Sequence, residues 1–167
     1  MTEEERAQAT RRAIEADCER LIKRYVNLND AQDWPAVAEL YTEDARFARP
    51  SKPGEFLEGR AAILAGFLAR PPRAQRHAIA NIVVEVDGLA AARAFSVIVL
   101  YQGDPAQPGE LPAMSADSPL VGTFTDKLVL TDGGWRFAER VGGLDFRPGR
   151  GPVPASSSPP ERWGRRG

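Results

Sequence analysis

The side chains that can do chemistry in this sequence are few. From Arg24 to Trp34 the chain reads R-Y-V-N-L-N-D-A-Q-D-W, which gathers Tyr25, Asp30 and Asp33, and the sequence holds a single histidine, His77. A carboxylate paired with a neutral imidazole moves protons well near neutrality, because histidine's unperturbed pKa of about 6.5 suits both giving and taking. The carboxylate fixes the ring's tautomer and stabilises the imidazolium that forms. A tyrosine hydroxyl nearby can donate to an oxygen that turns negative. Together these groups match proton abstraction beside a carbonyl, followed by loss of a hydroxyl or by ring closure. Asp30 needs a partner on other grounds too: it falls where a helical stripe ends, facing the negative end of the helix dipole. Asp33, just before Trp34-Pro35, has the plainer reading of a helix N-cap.

Those groups have to be positioned by ordinary elements. Ile14, Cys18, Leu21, Tyr25 and Leu28 recur at helical spacing, which predicts a helix over 3–29 with Tyr25 turned inward. A second helix is expected through Ala36, Val37 and Leu40 to about Tyr41, with Thr42-Glu43-Asp44 turning the chain into a short strand over 45–48. A third helix over 61–68 is stopped by Pro71-Pro72. The period then falls to 2, predicting strands over 75–86, 90–102, 120–131 and 135–146, with Asp87-Gly88 and Asp132-Gly133-Gly134 as turns. Helices first and strands after mean α+β with an antiparallel sheet, and such a sheet curls around a hollow suited to a small ligand. Strand parity groups His77 with Ile79, Asn81 and Val83, and makes Asn81 a candidate hydrogen-bonding partner for the substrate or for His77. Phe47, Phe67, Phe95, Val97, Val99, Thr123, Thr125 and Trp135 are the candidate walls. Arg49 is a candidate for holding a substrate carboxylate or phenolate, or else pairs with a nearby acid. The proline-rich stretch from Gly103 to Pro119 is a lid, a partner-contacting loop or an inert insertion.

Composition narrows the class. A length of 167 residues with 43% hydrophobic and 27% charged residues is one globular domain. A net charge of −1 gives no electrostatic case for nucleic acid or an anionic membrane surface. No apolar run approaches the roughly 20 residues of a spanning helix, and the acidic start M-T-E-E-E-R does not read as a secretory signal. The expectation is a soluble cytoplasmic protein. One cysteine excludes an internal disulfide and a cysteine-based zinc site, leaving Cys18 as a small buried apolar residue. Without a metal-ligand cluster, phosphate loop or dinucleotide fingerprint, no cofactor is expected. Residues 1–146 read as the domain, and 147–167, rich in Pro, Gly, Ser and Arg, as a disordered tail.

Set side by side, several pieces carry a resemblance. They are R-Y-V-N-L-N-D-A-Q-D-W, A-E-L-Y-T-E-D-A-R-F, E-G-R-A-A-I, R-H-A-I-A-N-I-V-V-E-V-D-G and D-G-G-W-R-F-A-E-R. In this order the chain resembles the SnoaL-like branch of the nuclear transport factor 2-like (NTF2-like) superfamily over roughly residues 10–146. The resemblance implies an α+β cone, helices inside a strongly bent antiparallel or mixed sheet, and a homodimer formed through that sheet. It also implies site residues. Scytalone dehydratase and bile-acid dehydratases of this superfamily pair an aspartate at the end of the first helix with a strand histidine, matched here by Asp30 and His77. Tyr25 is similar to the tyrosine of the bile-acid enzymes. The scytalone enzyme's second histidine and a tyrosine fall, by spacing, at Tyr101 and Arg49. Ketosteroid isomerase is similar around Tyr25, but its general-base aspartate falls at Arg49, which speaks against that mechanism.

The reading is therefore a cofactor-independent dehydratase or cyclase, using Asp30, His77 and Tyr25 on a carbonyl-bearing polyketide-like, aromatic or polycyclic metabolite of secondary metabolism. The alternatives are a non-catalytic ligand-binding or accessory subunit, like the β subunits of ring-hydroxylating dioxygenases, and an isomerase. A closed hollow with Asp30, His77 and Tyr25 converging within hydrogen-bond reach favours an enzyme; a filled hollow and a large apolar outer sheet face favour an accessory subunit.

Overall fold

A computed structural model describes residues 1–149. Three helices, α1 (Glu3–Asp30), α2 (Trp34–Ala38) and α3 (Arg60–Leu68), pack on a six-stranded sheet. Its strands are β1 (Tyr41–Ala48), β2 (Phe56–Glu58), β3 (Ala74–Val86), β4 (Ala91–Gly103), β5 (Leu120–Thr131) and β6 (Gly134–Phe146), in the order β2-β1-β6-β5-β4-β3. The sheet is mixed, since β1 runs parallel to β6 while every other pair is antiparallel. From residue 150 onward the expected tail lies outside the described residues.

Helix α1 starts on a capping box: the Thr2 hydroxyl accepts from the Glu5 N–H at 3.2 Å and Glu5 reaches back to the Thr2 N–H at 2.6 Å. The predicted stripe is the buried one, with Ile14, Cys18, Leu21 and Tyr25 in the core and Leu28 packed at its margin. Cys18 is fully buried, and burial, with Asp17 adding to it, pushes its thiol pKa up to about 12. Asp33 caps α2 by accepting from the Ala36 N–H at 3.2 Å.

Three expectations about elements give way. Helix α2 ends at Ala38, and Tyr41 to Asp44, expected as helix end and turn, already belong to β1. There Tyr41 pairs with Phe137, and a register shift before Arg46 accommodates the polar residues. The three-residue β2 was not expected.

The wall residues on β4 are the third correction. Its inward side chains are the even ones, Ala92, Ala94, Ser96 and Ile98, all buried. Phe95, Val97 and Val99 are half-buried on the outer face, and Tyr101 is 44% exposed there. Thr123 and Thr125 pair with Val97 and Phe95 and share that face. The parity was misjudged because both faces of β4 are apolar and the bulkier residues lie outside. A bulge at Asn81 moves a further candidate. Pairing passes from Ala80–Val97 to Val83–Phe95, and Asn81 supplies the extra residue at φ 49°. The bulge flips parity, so His77 and Ile79 face inward but then Ile82, Val84 and Val86 do, and Asn81 is exposed.

Candidate active site

The last residue of α1 and the start of β3 meet at the mouth of the cone. Asp30 and His77, 47 residues apart, join through His77 Nδ1 and Asp30 Oδ1 at 2.5 Å. The same carboxylate accepts the His77 backbone N–H at 3.1 and 3.0 Å. β3 is an edge strand, so this N–H has no ladder partner on its open side and Asp30 supplies one. The carboxylate is 5% exposed and the imidazole 11%. Arg76 Nη1 stands 3.5 Å from Asp30 Oδ2 on the solvent side. These donors answer the unfavourable placement of an acid at a helix C-terminus. A carboxylate only accepts, so Nδ1 carries the proton and a neutral ring keeps its lone pair on Nε2.

Two further bonds fasten the helix end to the strand. Gln75 Nε2 donates to the Asn29 carbonyl at 2.5 Å, and Gln32 Nε2 donates to the Arg73 carbonyl at 2.7 Å. His77 opens onto a hollow of about 390 Å³. Its apolar walls include Phe47, Ile98, Leu100, Phe124 and Leu144, and its polar lining includes Tyr25, Asn29, Gln75 and Gln102. The hollow is therefore not filled by the protein's own side chains.

Tyr25 lies on the floor, 3% exposed, and among the described residues it makes no hydrogen bond to Asp30 or His77, so the expected convergence of three groups is met by the Asp30–His77 pair and not by Tyr25. Its ring meets Tyr41, Phe124 and Phe137 edge-on, with centroids 6.2, 6.1 and 5.7 Å away. Below it, the Arg140 guanidinium lies 4.3 Å from the Tyr25 ring centre and 3.9 Å from that of Phe124. Arg140 is fully buried and bonds Asp126 through Nη1 and Oδ2 at 2.8 Å. Oδ1 of Asp126 and Nε and Nη2 of Arg140 find no hydrogen-bond partner among the described residues. With the pair bonded at one corner only, burial outweighs Arg140's pull and raises the Asp126 pKa to about 7.

The other candidates divide. Phe47 and Arg49 line the hollow, and Arg49 donates from Nη2 to the Gly66 carbonyl at 2.7 Å. Phe67 is core, stacked between Trp34 and Phe47 at 5.3 and 5.5 Å. Trp135 lines a separate groove beside α1 with Arg24, Leu40 and Leu130. Phe95, Val97, Val99, Thr123 and Tyr101 face outward and Asn81 faces solvent, so none of them lines the hollow. Beside Tyr101 it is Gln102 that points in, 7% exposed. Missed altogether were Asn29, Arg70, Arg73, Gln75 and Gln102. Arg73 and Gln75 carried a signal, since they flank His77 in the segment leading into β3. The loop between β4 and β5 reaches the rim, where the Ser115 hydroxyl donates to the Gln102 carbonyl at 2.9 Å and Asp117 joins the lining. No group of three or more His, Cys, Asp or Glu among the described residues is arranged to hold a metal ion, and no described helix is long and apolar enough to cross a membrane.

Comparison with known proteins gives the same architecture. A candidate scytalone dehydratase from Novosphingobium aromaticivorans superposes with a TM-score of 0.71 at 22% identity, covering 89% of this chain and 95% of that one. An NTF2-like protein with a cystatin-like fold from the same organism gives 0.67 at 24% identity, with 83% and 86% covered. Aln2 from a Streptomyces species gives 0.64 at 19% identity, with 78% and 89% covered. These likenesses show the fold. No curated protein matches the sequence. The family model of the SnoaL-like domain matches residues 10–141, and the chain belongs to that family, a branch of the NTF2-like superfamily.

Proposed function

We propose that this protein is a cofactor-independent small-molecule enzyme, a dehydratase or cyclase acting on a carbonyl-bearing, aromatic or polyketide-like compound. The observation that carries the reading is His77 held by Asp30 at 2.5 Å on the wall of an open hollow of about 390 Å³. In the dehydration, His77 Nε2 takes the proton from the carbon beside the carbonyl, and Asp30 stabilises the imidazolium. Tyr25 donates to the enolate oxygen. The electron pair then expels the β-hydroxyl, which leaves as water with the proton returned by His77, and a C=C bond remains. Such proton transfer supplies about 10²–10⁴-fold and one oxyanion donor about 10²–10³-fold, enough for an activated β-hydroxy carbonyl.

The test is turnover of a panel of hydroxylated polyketide-like aromatics. His77→Ala is expected to lower kcat by about 10²–10⁴-fold while the melting temperature holds. Undiminished turnover in that variant overturns the reading. The ketosteroid-isomerase alternative finds no support, because the residue at its base position, Arg49, is a cation bonded to a carbonyl. The accessory-subunit alternative keeps one observation in its favour, the apolar outer sheet face of Phe95, Val97 and Val99. We assign that face to a second copy of this chain, so that the protein works as a homodimer.

A further inference from the structure

Three cations converge on the rim of the hollow from three different elements. Arg49 follows β1, Arg70 follows α3 and Arg73 precedes β3, and all three line the cavity. Several other arginines of this protein are neutralised at close range. Arg46 meets Glu139, Arg60 meets Glu43 and Arg140 meets Asp126, at 2.9, 2.7 and 2.8 Å. Arg49, Arg70 and Arg73 have no carboxylate within ion-pairing distance among the described residues. Each spends its donors or its face on neutral groups. Arg49 Nη2 donates to the Gly66 carbonyl at 2.7 Å, and Arg73 Nη1 donates to Gln102 Oε1 at 2.6 Å. Arg70 lies over the Phe67 ring at 4.1 Å and the Trp34 ring at 5.7 Å.

Holding three like charges around one opening costs free energy. Burial lowers the Arg70 pKa most, and the positive neighbours Arg49 and Arg73 lower it further, against the raising influence of Tyr25 and Tyr41. The one acid in the lining, Asp117, is held by Ser115 and by Gln102 Nε2 at 3.3 Å and feels Arg73, so it offsets one of the three positive charges and leaves the rim net positive. Each guanidinium still has unused N–H groups, whose planar forks match a carboxylate in two-point fashion. An anion seated among them relieves the repulsion and satisfies those donors together. The walls beneath, Phe47, Ile98, Leu100, Phe124 and Leu144, are apolar and suit a ring skeleton.

We infer that the substrate is an organic acid, whose carboxylate is clamped at the rim by Arg49, Arg70 and Arg73 while its skeleton enters the hollow toward His77. The inference deepens the functional reading above and rests on it for the direction of entry. The clamp explains how a floor of rings can select an orientation: the charge stays out, and the carbon beside the reacting carbonyl goes in.

The experiment compares binding of 2-naphthoate and its neutral methyl ester to the full chain by calorimetry, at low and high salt. The acid is expected to bind at least tenfold more tightly than the ester, with the preference shrinking as salt rises. R70Q and R73Q are each expected to cut the acid's affinity about tenfold and leave the ester's alone, with melting curves recorded to show that both variants fold. H77A is expected to keep the acid preference. Equal binding of acid and ester, no binding of the acid at millimolar concentration, or a preference that survives in both arginine variants overturns the clamp. None of those results touches the His77 turnover test, so failure of the clamp and failure of the acid–base reading are read separately.

Discussion

Asp126 is the residue whose environment leaves the clearest mark on solution behaviour. Its pKa rises from 3.8 to about 7 because burial dominates and Arg140 meets only one of its oxygens. Between those two values the unfolded chain has released the proton and the folded protein still holds it, so rising pH favours unfolding. This contribution to stability is full below about pH 4 and is lost as pH passes 7. Asp126→Asn removes the slope. Urea midpoints of wild type and variant, measured from pH 4 to 8, are expected to converge or cross as pH rises; parallel curves would sink the assignment. At this scale the sequence was readable where a residue's need was local. Asp30 at a helix C-terminus lacked a donor, one histidine existed, and the two are bonded. Arg70 was unreadable, because nothing along the chain says that the end of α3 reaches the rim where β1 ends and β3 starts.

At the scale of elements, the joint between β1 and β6 constrains the site most directly. A Cβ placed on Gly142 would lie 2.5 Å from two Pro50 ring carbons and 2.6 Å from the Pro50 nitrogen. Only glycine lets β6 pass under the residue that follows Arg49. Gly142→Ala is expected to cost about 1–3 kcal/mol through forced displacement of backbone, read as a lowered melting temperature, and unchanged melting would refute the close approach. Strand existence was legible from period-2 patterning, and 120–131 was placed to the residue. Register was not. Counting the ladder from Thr131–Gly134 pairs Asp126 with Glu139, two acids. An extra residue at Ala138 slips the strand by one and sets Arg140 opposite instead, leaving Glu139 for Lys127 and Arg46. Bulges carry no compositional flag, and the one at Asn81 misled the sequence reading in the same way.

For the whole molecule, the two apolar faces of one sheet decide what the protein needs around it. The concave face is covered by α1, while the convex face presents Phe95, Val97 and Val99 only half-buried within one chain. Larger apolar patches on a protein surface mark interaction sites, and the homodimer proposal places a second copy here. Val97→Lys is expected to convert a dimer into monomer in light scattering while turnover per chain stays within a few-fold. A wild type that is already monomeric at micromolar concentration would end the homodimer proposal. This second apolar face is also why sequence parity failed on β4: an outer face carrying Phe95, Val97 and Val99 looks like a core.

The position of β6 in the sheet has a bearing on how the protein is made. Of the described elements it is synthesised last, yet it lies between β1 and β5 and not at an edge. Until it emerges, β1 has only the three-residue β2 beside it, and the floor under Tyr25 lacks both Phe137 and Arg140. A ribosome carrying the first five strands therefore holds two unjoined pieces of sheet with their apolar faces open. Closure of the sheet therefore waits for the final strand to act as keystone, and until then those apolar faces are the surface most prone to aggregate.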